Sequence, residues 1–467
     1  MSSRFTPMKQ VAALRSFLIV WMGQLVSSVG SRLSTFALGL WVLRTTGSTT
    51  QFAMIYMAMA IPSIFASSLA GPLVDRWNRR RIMLACDALA ALTMLSLAVS
   101  LASGHMVIGY IYVAVGINAV LDSFRSPAFM ASIPLLVAQE QLPRANALVQ
   151  TGEATAAIVG PLLAGMLVSW ISFRGVLIID ASTFLVGVLT LTMIAIPNVA
   201  INVHEAGNNI LREAVIGWRY VRQRAGLLGL LEVYGFNHFI FAVVSVLIAP
   251  LLLSFTTPAM VGVQYALGGA GLLAGGAAMT MLGGHKKRIT GVLLYTALGG
   301  LCIVATGLRP SFTLIAVAGF LLFTMMPVVD ASNTSLWQSK VPSELQGRCF
   351  ASQQLLLNLA MALGFSIAGP LADHVFEPML TSHGALADSV GRIIGVGTGR
   401  GLGLMFVLFG LAMTLNAIKG YFVPAVRHID DLENVTLPTP EAMTEESTDA
   451  VYKTSLISHD VHPEITA

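Results

Sequence analysis

Along the chain, long uninterrupted apolar stretches alternate with short polar ones. Twelve such stretches, at about 17–43, 49–74, 82–102, 107–135, 146–170, 174–196, 227–254, 259–282, 289–308, 311–337, 348–372 and 399–423, are about as long as the roughly 20 residues a helix needs to cross a hydrocarbon core of about 30 Å. None shows the period-two alternation of an outer-membrane barrel strand, so the pattern predicts an all-α membrane protein with twelve transmembrane helices. Between the sixth and seventh stretches, Leu211, Val215, Trp218 and Val221 fall at helical spacing beside four arginines, which predicts an amphipathic helix at the membrane surface. Past Arg427 the chain turns to Pro, Thr, Glu and Asp with few large apolar residues, too little to bury an ordered core.

Compared with itself at a shift near 204 residues, the chain repeats. Glu140 to Arg144 falls on Glu344 to Arg348, Gly160 and Gly165 on Gly364 and Gly369, and Gly71 to Asn78 on a degraded counterpart at Gly276 to Gly283. The twelve stretches therefore divide into two pseudo-symmetric six-helix halves, which in transporters enclose a site near the bilayer midplane.

Composition agrees with a lipid environment: of 467 residues 55% are hydrophobic and 11% charged, against about 25% charged in a soluble domain. The formal charge of +4 suggests no nucleic-acid partner, because the Lys and Arg sit in short loops. With the N-terminus inside, 20 of the 27 lie on the cytoplasmic side, five (Arg44, Arg174, Arg309, Arg392, Arg400) outside, and Arg32 and Arg125 within spans. That bias predicts both termini in the cytoplasm. The expected organisation is a cytoplasmic N-terminus (1–16), a six-helix half (17–196), a linker with the amphipathic helix (197–226), a second half (227–423) and a disordered cytoplasmic tail (424–467). Cys86, Cys302 and Cys349 are scattered in apolar surroundings and suggest neither a disulfide nor a metal.

The most specific local string is Gly71-Pro-Leu-Val-Asp75-Arg76-Trp-Asn78-Arg79-Arg80-Arg81, between the second and third spans. It resembles the signature loop of the major facilitator superfamily, departing from it at Asn78, where that signature has a second glycine. The resemblance implies a conformational latch made by Gly71, Asp75, Arg76, Arg79 and Arg80, with Asp87 as a nearby acidic partner. As positive-inside anchors, the arginines would need no such role. Gly160-Pro161-Leu-Leu-Ala-Gly165 resembles the Gly-Pro motif of the superfamily's antiporters, although small residues packing two helices produce the same string. Val29 to Trp41, Ala145 to Leu148, Gly369 to Pro378 and the glycines from 395 to 403 are similar to the macrolide-efflux and enterobactin-exporter branch. The similarity spans roughly residues 10 to 425 and implies efflux driven by the proton gradient. The glycine string is not read as a dinucleotide fingerprint, since no strand precedes it, and the chain has no Walker motif. No cofactor is expected.

Ionisable groups in the middle of a span are costly and so are functional candidates. Arg32, Asp122 and Arg125 all fall near mid-depth, with Arg125 one turn from Asp122, and a three-member cluster is expected that either serves substrate and protons or only joins two helices. Glu153, with Thr151 and Thr155 nearby, has no cation near it in sequence and is the leading proton carrier, alongside Asp122 and His238. Asp180, Asn237 and Asp330 complete the substrate and gating candidates. Trp21, Phe36, Phe236, Phe239 and the methionines supply apolar material for a pocket or for packing.

These features predict a secondary transporter rather than an enzyme, for no zinc, aspartyl-protease or serine-nucleophile motif occurs. The expected function is export of an amphiphilic small molecule (a macrolide or other drug, a siderophore or a peptide-like metabolite) by proton antiport with alternating access. An importer of a small solute and a non-transporting sensor are the alternatives. The expected partners are the lipid bilayer of a bacterial plasma membrane, the cargo and protons, with a monomer as the working unit.

Overall fold

Helices account for all regular structure among residues 7–196, 210–282 and 287–431, the residues that the computed structural model describes. The first four are α1 (Pro7–Thr46), α2 (Thr49–Arg76), α3 (Arg79–Ala102) and α4 (Ile108–Leu136). Next, α5 (Leu142–Met193) carries two spans, Leu142–Val168 and Trp170–Met193. The chain turns at Ser172, near the start of the second, where a φ of 62° is unfavourable for a residue with a Cβ. A short helix α6 (Ile210–Arg222) leads into α7 (Ala225–Leu253), α8 (Pro258–Leu282), α9 (Arg288–Leu308), α10 (Phe312–Lys340) and α11 (Ser343–Leu371). After a π-helical turn at Ala372–Phe376 and a glycine-rich loop comes α12 (Arg400–Phe422).

Among the described residues eleven segments are long and apolar enough to cross a membrane. The twelfth, α4, has 29 residues but bears Asn118, Asp122 and Arg125 in its middle, and it packs against α2 and α3 inside the first half. In that half α1 lies along α5 and α2 along α4; in the second α7 lies along α11, α8 along α10 and α9 along α12. Apolar side chains fill each half, and Phe52 and Ala53 of α2 enter the core of the second.

The two halves repeat each other at the level of contacts. A Cβ on Gly160 would collide with Arg32 of α1, and one on Gly364 with Phe239 and Ala242 of α7, so each glycine seats its helix against the first helix of its own half. Gly165 and Gly369 then do the same across the interface, against Pro258 at the start of α8 and Thr50 at the start of α2. Arg79 Nη1 donates to the Ala131 carbonyl at 2.9 Å, and Arg288 Nη1 donates to the Ser335 carbonyl at 3.2 Å, the same bond in each half from a helix start to the end of the next helix.

The halves are joined at the end of the bundle that carries the α1–α2 connection. There α2 meets α11 and α5 meets α8. Tyr56 packs on Phe365 with ring centroids 5.6 Å apart, and Phe36 on Tyr265 edge-on at 5.7 Å. Each of these contacts lies between that end and mid-depth.

At the opposite end the chain departs from the expectation of an unstructured tail from residue 424. Residues 424–431 form turns that bury Val426 and Ile429, and Asp430 Oδ2 accepts from the Ile289 amide at 2.9 Å, capping α9. Lys340 Nζ donates to the Asp430 carbonyl at 3.1 Å. The apolar residues Val423, Val426 and Ile429 are spaced to continue the helix-end packing, and that carries the order a few residues past Arg427. The remainder of the tail, the linker 197–209 and Gly283 of the repeat lie outside the described residues.

In the second half α9 and α12 approach each other through reciprocal glycines. A Cβ on Gly300 would stand 2.7 Å from the Gly410 carbonyl, and one on Gly410 2.6 Å from that of Gly300; Gly307 and Gly403 repeat the reciprocal pair. Gly410→Leu is expected to cost about 1–3 kcal/mol through overpacking. Its apparent melting midpoint, followed by tryptophan fluorescence in detergent, should fall below that of the parent. Gly276→Leu, where a Cβ meets nothing within 4 Å, should leave the midpoint unchanged.

Candidate functional site

The loop between α2 and α3 is short because α2 ends at Arg76 and α3 begins three residues later. Asn78, the departure from the signature, has φ of −68°, so a left-handed backbone is not required there; its Oδ1 instead accepts from the Arg81 amide at 3.1 Å and caps α3. Arg80 Nε and Nη2 donate to the carbonyls of Leu191 (2.8 Å) and Thr192 (2.9 Å) at the end of α5. Arg79 and Arg80 thus bind the carbonyl ends of helices, where the helix dipole favours a cation. Arg76 is exposed, and the surroundings of Gly71 and the side chain of Asp75 lie outside what is described.

Asp87 is not the acidic partner of these arginines. Two turns into α3 and fully buried, it accepts from Arg125 Nη1 at 3.3 Å and from Gln24 Nε2 at 3.0 Å. Gly187 leaves room for it: a Cβ there would stand 2.8 Å from Asp87 Oδ2. Arg125 Nη2 also donates to Asp122 at 2.7 Å, and its guanidinium lies 5.7 Å from the centroid of Phe184. The result is a polar chain Gln24–Asp87–Arg125–Asp122, running from the core between α1, α3 and α4 to Asp122, whose side chain is 60% exposed.

Arg32 does not join this chain, contrary to the expected cluster. Gly160 brings α5 against the Cβ of Arg32, and the guanidinium pairs with Glu153 of α5 at 3.8 Å. Glu153 therefore has the cation that is not visible near it in sequence, and it also accepts from Ser28 Oγ at 3.3 Å. Both side chains of the pair are about half exposed, 53% and 54%. At about 1.5 Å per residue Glu153 stands some 16 Å along α5 from Leu142, near mid-membrane. A half-exposed ion pair at that depth would be costly against lipid tails, so it faces the space between the halves. Tyr56 of α2 and Tyr265 of α8 come together at the junction of the halves.

In the second half Tyr234 Oη donates to Asp330 Oδ1, tying α7 to α10. His238, one turn further along α7, has Nδ1 3.0 Å from the Tyr234 carbonyl, and its ring centroid is 4.5 Å from that of Tyr234. The remaining two candidates are helix contacts. Asn237 is buried between α7, α9 and α12, accepting from Asn416 Nδ2 at 3.2 Å, because it projects from a different face of α7 than His238. Asp180 is buried against α1, where it accepts from Ser34 and from Thr183 Oγ1.

Of these candidate carboxylates, Asp87 and Asp122 share Arg125, Glu153 pairs with Arg32, Asp330 bonds Tyr234, and Asp180 is held by hydroxyls alone. Gln24, Tyr56, Tyr234 and Tyr265 take part without having been singled out in the sequence. Their signal there is only a polar atom within an apolar run. Among the described residues no group of three or more His, Cys, Asp or Glu is placed to hold a metal.

The profile of the Major Facilitator Superfamily matches residues 20–365. The chain belongs to this superfamily. It is 26% identical over 363 residues to macrolide efflux protein A of Streptococcus pyogenes, covering 77% of this chain and 90% of that protein. To the multidrug efflux pump Tap of Mycolicibacterium fortuitum it is 24% identical over 430 residues, covering 88% of this chain and 97% of Tap. Among solved structures it superposes on the nucleoside transporter NupG with a TM-score of 0.64 at 13% identity, covering 90% of this chain and 100% of that one. A bacterial homologue of the iron transporter ferroportin in an inward-facing state superposes with a TM-score of 0.62 at 15% identity, covering 87% and 98%. These two likenesses carry the fold alone. As a major facilitator the chain is a transporter and not an enzyme, with its helices in a lipid bilayer.

The buried chain makes a thermodynamic prediction. Arg125→Gln strands Asp87 without its cation and is expected to destabilise by about 3–5 kcal/mol, whereas adding Asp87→Asn should recover part of the loss. Melting midpoints of the two variants checks this; equal midpoints would mean that Arg125 does not compensate a charge on Asp87.

Proposed function

We propose that this transporter exports an amphiphilic small molecule, a macrolide or other drug, a siderophore or a peptide-like metabolite, from a bacterial cytoplasm in exchange for protons. The observation that carries the reading is the half-exposed Arg32–Glu153 pair at mid-depth beneath the junction of the halves. An ion pair of 3.8 Å with one hydroxyl contact is held loosely, so a proton on Glu153 frees Arg32 and leaves a neutral carboxyl that can cross the closing interface at lower cost. Return of the carboxylate to Arg32 discharges the proton on the other side. Asp122 and His238 are further proton sites, Asp330 and Arg32 contribute polar contacts to cargo, and Arg125 acts through Asp122. The names of the efflux relatives support the direction of transport and the amphiphilic class of cargo. Aromatic pairs such as Phe236 and Phe239, stacked 6.1 Å apart, suit such a molecule.

The loop cations support cytoplasmic termini in a bacterial plasma membrane. In that orientation the α1–α2 end is external, and its closure makes this an inward-facing state that receives cargo from the cytoplasm. Asp75 and the arginines after it would then act as the latch of the opposite, outward-facing state. Transport needs no partner subunit, since both polar clusters are built from one chain.

In a strain lacking its own pumps, expression of the parent should raise resistance to at least one macrolide. Glu153→Gln should abolish that resistance while membrane abundance stays within about twofold, and Asp122→Asn should weaken it. Undiminished, pH-dependent efflux by Glu153→Gln would remove Glu153 from the mechanism. Everted vesicles that take up the drug on energisation distinguish export from import.

A further inference from the structure

The junction between α2 and α11 contains a charged fastening that its counterpart between α5 and α8 lacks. Where α5 meets α8 the contact is made by backbone and apolar atoms, with Gly165 against Pro258 and Gly262 against Pro161. Where α11 meets α2, Gly369 similarly admits Thr50, but one turn later the helix opens into the π-turn Ala372–Phe376, and Asp373 within it reaches across to the other half. Single π-turns inside helices recur at functional sites because the extra residue re-aims its neighbours. Here the turn aims Asp373 at the start of α2.

Asp373 Oδ2 accepts from Ser48 Oγ at 2.7 Å and from the Thr50 amide at 2.8 Å, while Oδ1 accepts from the Thr49 amide at 3.0 Å. The first amides of a helix have no acceptor within it, and its N-terminus carries partial positive charge, so a carboxylate there is favoured on both counts. Ser48 already caps α2 from within, accepting from the Gln51 amide at 3.2 Å. Asp373 adds a second cap that comes from the opposite half. One turn on, Glu377 caps α12 through the Gly399 and Leu402 amides, at 3.2 and 3.0 Å. The three glycines 395, 397 and 399, with φ between 80° and 117°, bring those amides to it. The π-turn segment is thus held firmly to its own half while it grips the other.

We propose that Asp373 is the positioning residue that fastens the two halves together at this end, and that releasing its grip on α2 is what opens the end. All of its partners belong to the first half, so any separation of α2 from α11 must break three hydrogen bonds to a charged acceptor at once. The α5–α8 contact has only apolar and backbone surfaces to part and serves as the bearing about which the halves rock. The inference rests on rocking of the halves, not on the nature of the cargo or of the coupling ion.

The test reads distance rather than transport. Spin labels on Ser103→Cys and Ser382→Cys, exposed positions in loops of the two halves at this end, report its opening in a background of Cys86→Ala, Cys302→Ala and Cys349→Ala. Pulsed electron resonance of the parent in lipid nanodiscs should give a dominant short distance. Asp373→Ala should raise the ratio of open to closed populations by about tenfold or more, and Ser48→Ala, which removes one of the three bonds, by a smaller factor. The Ser48→Ala arm stands if Asp373→Ala fails to fold. Distance distributions of the folded variants that superpose on the parent's overturn the assignment, whatever the outcome of any transport assay.

Discussion

A hydrocarbon solvent offers no partner to a backbone amide or to a charge, and that constraint orders most of what is seen in this protein. It makes every span a helix, because only a helix satisfies its backbone without water or neighbours. It removes the hydrophobic drive that joins helices in water, leaving close backbone contact through glycine to bring them together, as at Gly160 and Gly364 within the halves and Gly300 and Gly410 between α9 and α12. The same constraint sorts the polar groups. Asp180 is spent on contacts between helices and Asp87 on a buried bridge to Arg125, while Arg32, Glu153 and Asp122 keep substantial exposure along the spans of the first half.

Sequence periodicity was enough to read the twelve spans, their division into halves and the amphipathic helix before α7, since each depends on runs of many residues acting together. The glycines 204 residues apart carried further than composition would suggest: they recur in space as equivalent contacts, first within each half and then across the interface. The partners of the charges were not legible. Arg32 and Glu153 are brought together by packing of α1 on α5, a contact between residues about 120 apart in the chain, and nothing near either residue announces it. Asp87 looked like part of the loop cations because it is close to them in sequence, whereas its place two turns inside α3 points it at Arg125. Asn78, which stands where the signature has a glycine, acts through its side chain, and its sequence neighbours do not announce that cap. Asp373 lay in plain view, but only the π-turn reveals that it faces α2.

The repeated architecture gives the transport cycle its geometry. Two similar halves meet along two junctions, each formed by one helix from each half, and rocking of the halves against each other exposes the space between them to one side at a time. What breaks the symmetry is chemical. The first half carries both arginines of the interior and most of the acids; the second carries an acid shared with a tyrosine and a nearby histidine. In the proposed cycle a proton that neutralises Glu153 loosens an interaction of the first half alone, the pair with Arg32.

The central claim, that movement of cargo is exchanged for protons through Glu153, is tested most directly in proteoliposomes that contain the purified protein and a pH indicator dye in the lumen. With protein oriented to take cargo from the lumen and no imposed gradient, a macrolide loaded inside should leave while protons enter, so the dye should report acidification that is absent with Glu153→Gln. Cargo movement in the parent with no accompanying change in luminal pH, or equal acidification in the variant, would contradict the account.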